Sequence, residues 1–190
     1  MDPAGARQTL MDGYTRFVLG RSEHHHQTPE YRLGVATAPE PFAVILGCAD
    51  SRVPPEIIFD QGFGDLFVVR VAGAVVTDDV LASVELAVLE MPVSLVVVLG
   101  HTKCRAVHAC AEIVAGRATA VGHEESLVDA LRPALAGAPD GAAAVRATVR
   151  LSAERLYADA PILQAAEARR TLEIAGWLYD VDTGTVEMLI

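Results

Sequence analysis

At 190 residues, with 52% apolar side chains, the chain has the size of one compact domain that can bury a substantial core. Its formal charge of −10 argues against nucleic acid or an anionic membrane surface as partner, because either would be repelled over most of the protein, and points to a small or neutral substrate. The opening "MDPAGARQTLMDGY" lacks the basic start and apolar core of a signal peptide, and "SLVVVLG" is too short to span a bilayer, so a soluble, cytoplasmic protein is expected.

The first forty residues read as an N-terminal helical arm of a single domain covering 1–190. A helix is predicted over about 4–19, and its apolar positions Leu10, Tyr14, Phe17 and Val18 need a surface, which a neighbouring subunit is expected to provide. A polar loop follows, carrying the triplet His24, His25 and His26, read as solvated. Apolar runs at 42–46, 66–71 and 95–99 are rich in β-branched residues and bounded by Gly, Pro or Asp, as in buried strands.

Helical patterns separate these runs. "DDVLASVELAVLEM" repeats its apolar residues at helical spacing behind Asp78 and Asp79, and "CRAVHACAEIVAG" starts just after the third run and stops at Gly116. The stretch 124–160 reads as mostly helical, interrupted by Pro133 and by the "AGAPDG" loop at 136–141. "EIAGWLYDVDTGTVEMLI" reads as two antiparallel strands joined at Asp182-Thr183-Gly184. The fold class is therefore α/β, a mainly parallel sheet flanked by helices with an antiparallel edge hairpin at the end.

Three cysteines, Cys48, Cys104 and Cys110, are too few and too odd for a disulfide framework, which turns attention to metal binding. Cys48 ends one predicted strand within "GCADSRVPPE", and "GHTKC" places His101 and Cys104 at the end of another. Ligands collect beyond the carboxyl ends of strands in such sheets. Two thiolates and an imidazole suit zinc and leave a fourth tetrahedral position open. His108, one turn after Cys104, is a rival ligand, and Cys110 is read as core. His123 has nothing tying it to the site.

The chain is similar to the β-class carbonic anhydrases. The resemblance rests on "GCADSRVPPE" for a Cys-x-Asp-Ser-Arg motif and "LGHTKC" for a His-x-x-Cys motif, supported by "DGYTRF", "GDLFVVRVAG" and "GWLYDVDTGTV", in order along nearly the whole chain. It implies zinc on Cys48, His101 and Cys104, with Asp50 and Arg52 as a catalytic dyad, and reversible hydration of carbon dioxide to bicarbonate and a proton. Arg52 would hold Asp50 by a charge-assisted contact, leaving the carboxylate to orient the nucleophile. In a closed state Asp50 would become the fourth ligand. Ser51 is assigned to backbone groups of the turn, and Phe67 with Ala72 to the substrate pocket. The family also implies a homodimer or larger homo-oligomer.

Arg105 stands where most members carry glycine, and it either faces the pocket or follows its helix outward. Ala74 replaces a common asparagine, and no glutamine precedes the first strand. Two alternatives to hydration follow: a zinc-binding member of the fold with weak or absent activity, or a related hydrolase of carbon disulfide or carbonyl sulfide.

Overall fold

The structure is a computed structural model describing residues 1–138 and 140–190. Helix α1 (Pro3–Val18) starts on an Asp2 cap that accepts a hydrogen bond from the Gly5 amide, and α2 (Pro29–Gly34) is capped in the same way by Thr28. Strand β1 (Ala43–Cys48) leads through the short α3 (Pro55–Ile58) to β2 (Leu66–Val71). A tight turn at Ala72–Ala74 precedes α4 (Asp78–Glu90), which returns the chain to β3 (Leu95–His101). Then come α5 (Arg105–Val114), α6 (Glu124–Leu135), α7 (Gly141–Asp159), α8 (Pro161–Ala168), β4 (Glu173–Tyr179) and β5 (Val186–Met188).

The five strands lie in the order β2-β1-β3-β4-β5. The first three pairings are parallel, and only β4 with β5 is antiparallel. β1 and β3 are buried along their whole length, as expected of central strands covered on both faces. One apolar layer joins Ala43, Ile45 and Leu99 to α1, α5 and α6. The other joins Val44, Leu46 and Val98 to α4, α7 and α8. The chain leaves β1 toward β2 and leaves β3 toward β4, so the connections diverge between two neighbouring strands. That divergence is the topological switch point where open α/β sheets form their crevice.

Within this chain the N-terminal helix buries Ala6, Leu10 and Gly13, and Tyr14 and Phe17 pack on the same core. Gly13 lies so close to α3 that a Cβ there would sit 1.8 Å from the Phe59 carbonyl oxygen. Arg16 Nε donates to Asp60 at 2.6 Å, Arg7 pairs with Glu173, and the Val186 amide donates to the Tyr14 hydroxyl at 3.1 Å. Only Val18, among the positions noted, stays largely exposed. The polar loop contains α2, signalled by Thr28 before Pro29, a cap followed by proline in the first turn. The histidine triplet is tied down in part, since His26 Nδ1 contacts Asp65 at 2.7 Å and its ring stacks on Tyr31.

Helix α6 runs through Pro133 and ends two residues later. The loop predicted at 136–141 is observed apart from Pro139, which lies outside the described residues, and Asp140 caps α7 through the Ala143 amide. The final turn is organised by Asp180, which accepts from the amides of Asp182 and Thr183.

Leu10→Ala is expected to cost about 2–5 kcal/mol, the usual range for a fully buried leucine, by equal amounts at low and high protein concentration. Urea unfolding checks this, and a loss that appears only in dilute protein would mean that α1 is held by another subunit.

Candidate metal centre

β1 and β3 pair as far as Gly47 and Leu99 and then part. Cys48 and His101 follow at the two strand ends, and Cys104 stands at the start of α5, after a turn in which Lys103 has a left-handed φ of 56°. The two sulfurs are 3.8 Å apart. Ligand atoms of Cys48, His101 and Cys104 all lie within 4.8 Å of one another, and the residues are only 5%, 1% and 4% exposed. His108 is exposed and outside this cluster, while Cys110 is buried in the core.

His101 Nδ1 lies 2.9 Å from the Thr102 carbonyl oxygen. A carbonyl can only accept, so Nδ1 carries the hydrogen and Nε2 presents a lone pair. That Nε2 is buried without a hydrogen-bond partner among the described residues. The donor set fits zinc: sulfurs about 2.3 Å from a tetrahedral centre stand about 3.8 Å apart, and an imidazole with its other nitrogen bonded to a carbonyl is oriented as a metal ligand.

The two thiols lie within hydrogen-bonding distance of each other. Cys48 is lowered to about 4, foremost because Cys104 offers it a hydrogen, and the amides of Asp50 and Gly73 add to this against the opposing effect of burial. Cys104 is raised by that same shared hydrogen and by burial, while the Val107 and Ala106 amides oppose the rise. At 3.8 Å the two sulfurs can share one hydrogen, an arrangement that favours negative charge at Cys48.

Asp50 is kept beside this set and turned to Arg52. Arg52 Nε donates to Asp50 Oδ1 at 2.9 Å, Nη2 donates to Oδ2 at 2.7 Å, and the Arg52 amide adds a bond to Oδ1. Arg52 also donates to the Lys103 carbonyl at 3.1 Å, linking the two loops that carry the thiols. Asp50 Oδ2 stays 4.0 Å from His101 Nε2. The Arg52 hydrogen bonds hold the Asp50 carboxyl well below the usual carboxylate range.

Residues 43–186 match the family model described as carbonic anhydrase. The chain belongs to the carbonic anhydrase family, in its β class. Carbonic anhydrase 2 of Mycobacterium tuberculosis is 40% identical over 188 residues, spanning 96% of this chain and 91% of that protein. The carbonic anhydrase of Pseudomonas aeruginosa is 32% identical, across 95% and 86% of the two chains. Among solved structures, the β-carbonic anhydrase of Coccomyxa in complex with acetazolamide aligns with a TM-score of 0.71 at 29% identity, over 83% of this chain and 76% of that one. The β-carbonic anhydrase CafA of Aspergillus fumigatus aligns at 0.73 and 26%, over 94% and 88%.

Other residues singled out in the sequence fall at varying distances. Phe67 pairs with Val44, four residues back along the strand from the level of Cys48, or about 13 Å. It packs on the layer that holds α4 and lines neither cavity that Cys104 borders. Ala72 is half-buried at the start of the turn, and its neighbours Gly73 and Ala74 line the small cavity beside the ligands. Ser51 is exposed, and the turn is held instead by Asp50. Arg105 is exposed on the rim of a 660 Å³ cavity between α5 and the start of α7. Arg70 received no role in the sequence reading. Its Nε donates to the Cys48 carbonyl at 2.9 Å and its Nη2 to the Asp50 carbonyl, pinning the loop from beneath. A lone arginine inside an apolar strand was the available signal.

Because the folded carboxyl of Asp50 titrates below its unfolded value, the Asp50–Arg52 contact stabilises the fold above about pH 4 and loses that effect as pH falls toward the folded value. Arg52→Ala is therefore expected to lower stability to urea at pH 7 and to lose this deficit progressively below about pH 4. A deficit that does not change with pH would show that the contact is not electrostatic in origin.

Proposed function

We propose that this protein catalyses the reversible hydration of carbon dioxide to bicarbonate and a proton, with zinc held by Cys48, His101 and Cys104. The observation that carries the proposal is the sulfur pair at 3.8 Å with the unpartnered His101 Nε2 beside it, next to a carboxylate fastened to an arginine. The chemistry that zinc supplies when held there is water acid enough to give hydroxide near about pH 7.

The chain's own groups do the rest. Two thiolates balance the charge of a divalent cation, so a further carboxylate in the donor set would leave net negative charge in a poorly solvated place and weaken the cation as a Lewis acid. Arg52 prevents this by occupying both Asp50 oxygens. Asp50 remains ionised, and Oδ2 can accept a hydrogen bond from the nucleophile and fix its orientation. Thr102 fixes the imidazole tautomer, and Arg70 fixes the loop that carries Cys48 and Asp50.

A homodimer or larger homo-oligomer is part of the same proposal. It is supported by the edge strand β2, whose six residues are all half-buried although most are apolar, an edge that proteins usually cover. Among the described residues no helix is long and apolar enough to cross a membrane.

Purified protein is expected to contain equimolar zinc and to hydrate carbon dioxide in stopped-flow assay at a rate that rises with pH through about 7. Cys48→Ser should lose the metal, and Asp50→Asn should keep it with the rate reduced about 10- to 100-fold. Stoichiometric zinc with no hydration at any pH would overturn the enzymatic reading in favour of a metal-binding one. Since Arg105 is exposed, Arg105→Gly should leave both zinc content and rate unchanged; a faster variant in the same assay would show that this arginine obstructs the cleft.

A further inference from the structure

Helix α7 carries three polar residues on the side that faces the sheet, Thr148, Ser152 and Arg155. Two of them grip the segment after β2: Ser152 Oγ donates to the Ala74 carbonyl at 2.9 Å, and Arg155 Nη1 donates to the Val76 carbonyl at 3.0 Å. Thr148 differs. It is only 3% exposed, and its Oγ1 is buried with no hydrogen-bond partner among the described residues. It also forgoes the bond that helical threonines commonly return to the preceding turn. Thr9 and Thr15 both make that bond, to the carbonyls of Gly5 and Met11 at 2.9 and 2.8 Å.

Thr148 lines a small cavity whose other walls include Cys48, His101 and Cys104. Its position there is enforced by the next residue. Val149 packs into a notch made by two glycines, where a Cβ on Gly100 would approach Val149 Cγ2 to 2.3 Å and one on Gly176 would approach Cγ1 to 2.9 Å. The cavity holds about 10 Å³, close to the roughly 10–15 Å³ that a single water requires. A buried hydroxyl without a partner is costly, and a water trapped beside it needs further polar contacts. The two sulfurs are acceptors on the wall of the same space.

We propose that Thr148 is a positioning residue for the metal centre, acting through one buried water that bridges its hydroxyl to the Cys48–Cys104 sulfur pair on the side facing α7. The inference rests on the zinc reading above. It gives α7 a role at the site beyond packing: the bridging water donates a hydrogen bond to sulfur and fixes the direction in which the thiolates present their charge.

Thr148→Val keeps the shape and removes the hydroxyl. Zinc affinity of the full-length protein is measured by competition with a chelating dye, after wild-type stoichiometry has been established. Thr148→Val is expected to weaken zinc binding about 10- to 100-fold, the usual effect of losing an outer hydrogen bond to a ligand, while Thr148→Ser restores it. Equal affinities in wild type and Thr148→Val, together with a higher melting temperature of the metal-free variant, would overturn the proposal, because deleting an unpartnered hydroxyl should stabilise. Equal losses in the Val and Ser variants would also overturn it, as a packing effect. A wild-type protein without stoichiometric zinc would overturn the reading beneath it, whereas the variant comparison tests the bridge alone.

Discussion

Two cysteine sulfurs 3.8 Å apart, in a region that water barely reaches, impose the constraint on which the rest of the site depends. Two bare thiolates at that distance repel strongly in a medium of low dielectric, so they must either share a proton or share a cation. The surroundings are arranged for negative charge at sulfur: the Asp50 and Gly73 amides face Cys48, and the Val107 and Ala106 amides face Cys104. His101 adds a neutral nitrogen without a hydrogen-bond partner among the described residues. Each feature is costly alone, and together they make sense as the seat of a soft divalent ion.

Sheet order explains why these groups meet. A chain that entered β2 and β3 from the same side of β1 would carry both loops away together. With the order β2-β1-β3, the loop after β1 turns toward one edge and the loop after β3 toward the other, which leaves a gap lined by whatever residues end the two strands. Cys48 and His101 end them. Asp50 and Arg52 then straddle the gap, and their bidentate contact works in two directions. It keeps a carboxylate out of the Cys-His-Cys donor set, and through the Lys103 carbonyl it ties one loop to the other.

The parts of this arrangement that were legible in the sequence are those where a local pattern carries the physics. Apolar runs at 42–46 and 95–99, followed closely by Cys48 and His101, signal buried strands and the chemistry at their ends, because side-chain type is a local fact. What could not be read was set by contacts distant in sequence. The surface that α1 meets includes Phe59, against Gly13, and Val186, bonded to Tyr14, which no periodicity within α1 reveals. Pro133 was read as a break, yet α6 absorbs it near its end, where one missing amide costs little. Thr148 sits in a helix with no motif, and its place on the cavity beside the ligands follows from long-range packing such as that of Val149 against Gly100 and Gly176.

Backbone conformation around the ligands points to the same dependence on side-chain clamps. Ala74 and Lys103 are non-glycine residues with left-handed φ values of 51° and 56°, one after β2 and one after β3, and both adjoin the donor set. Such conformations cost about 1–3 kcal/mol each and persist only where neighbours over-determine them. Here the carbonyl of each is held by a side chain from another segment, Ala74 by Ser152 and Lys103 by Arg52. The strands bring the donors near one another, but it is these two polar grips that keep the turns in a conformation they would not adopt alone. The accuracy of the donor set therefore resides as much in α7 and in the Asp50–Arg52 pair as in the sheet beneath them.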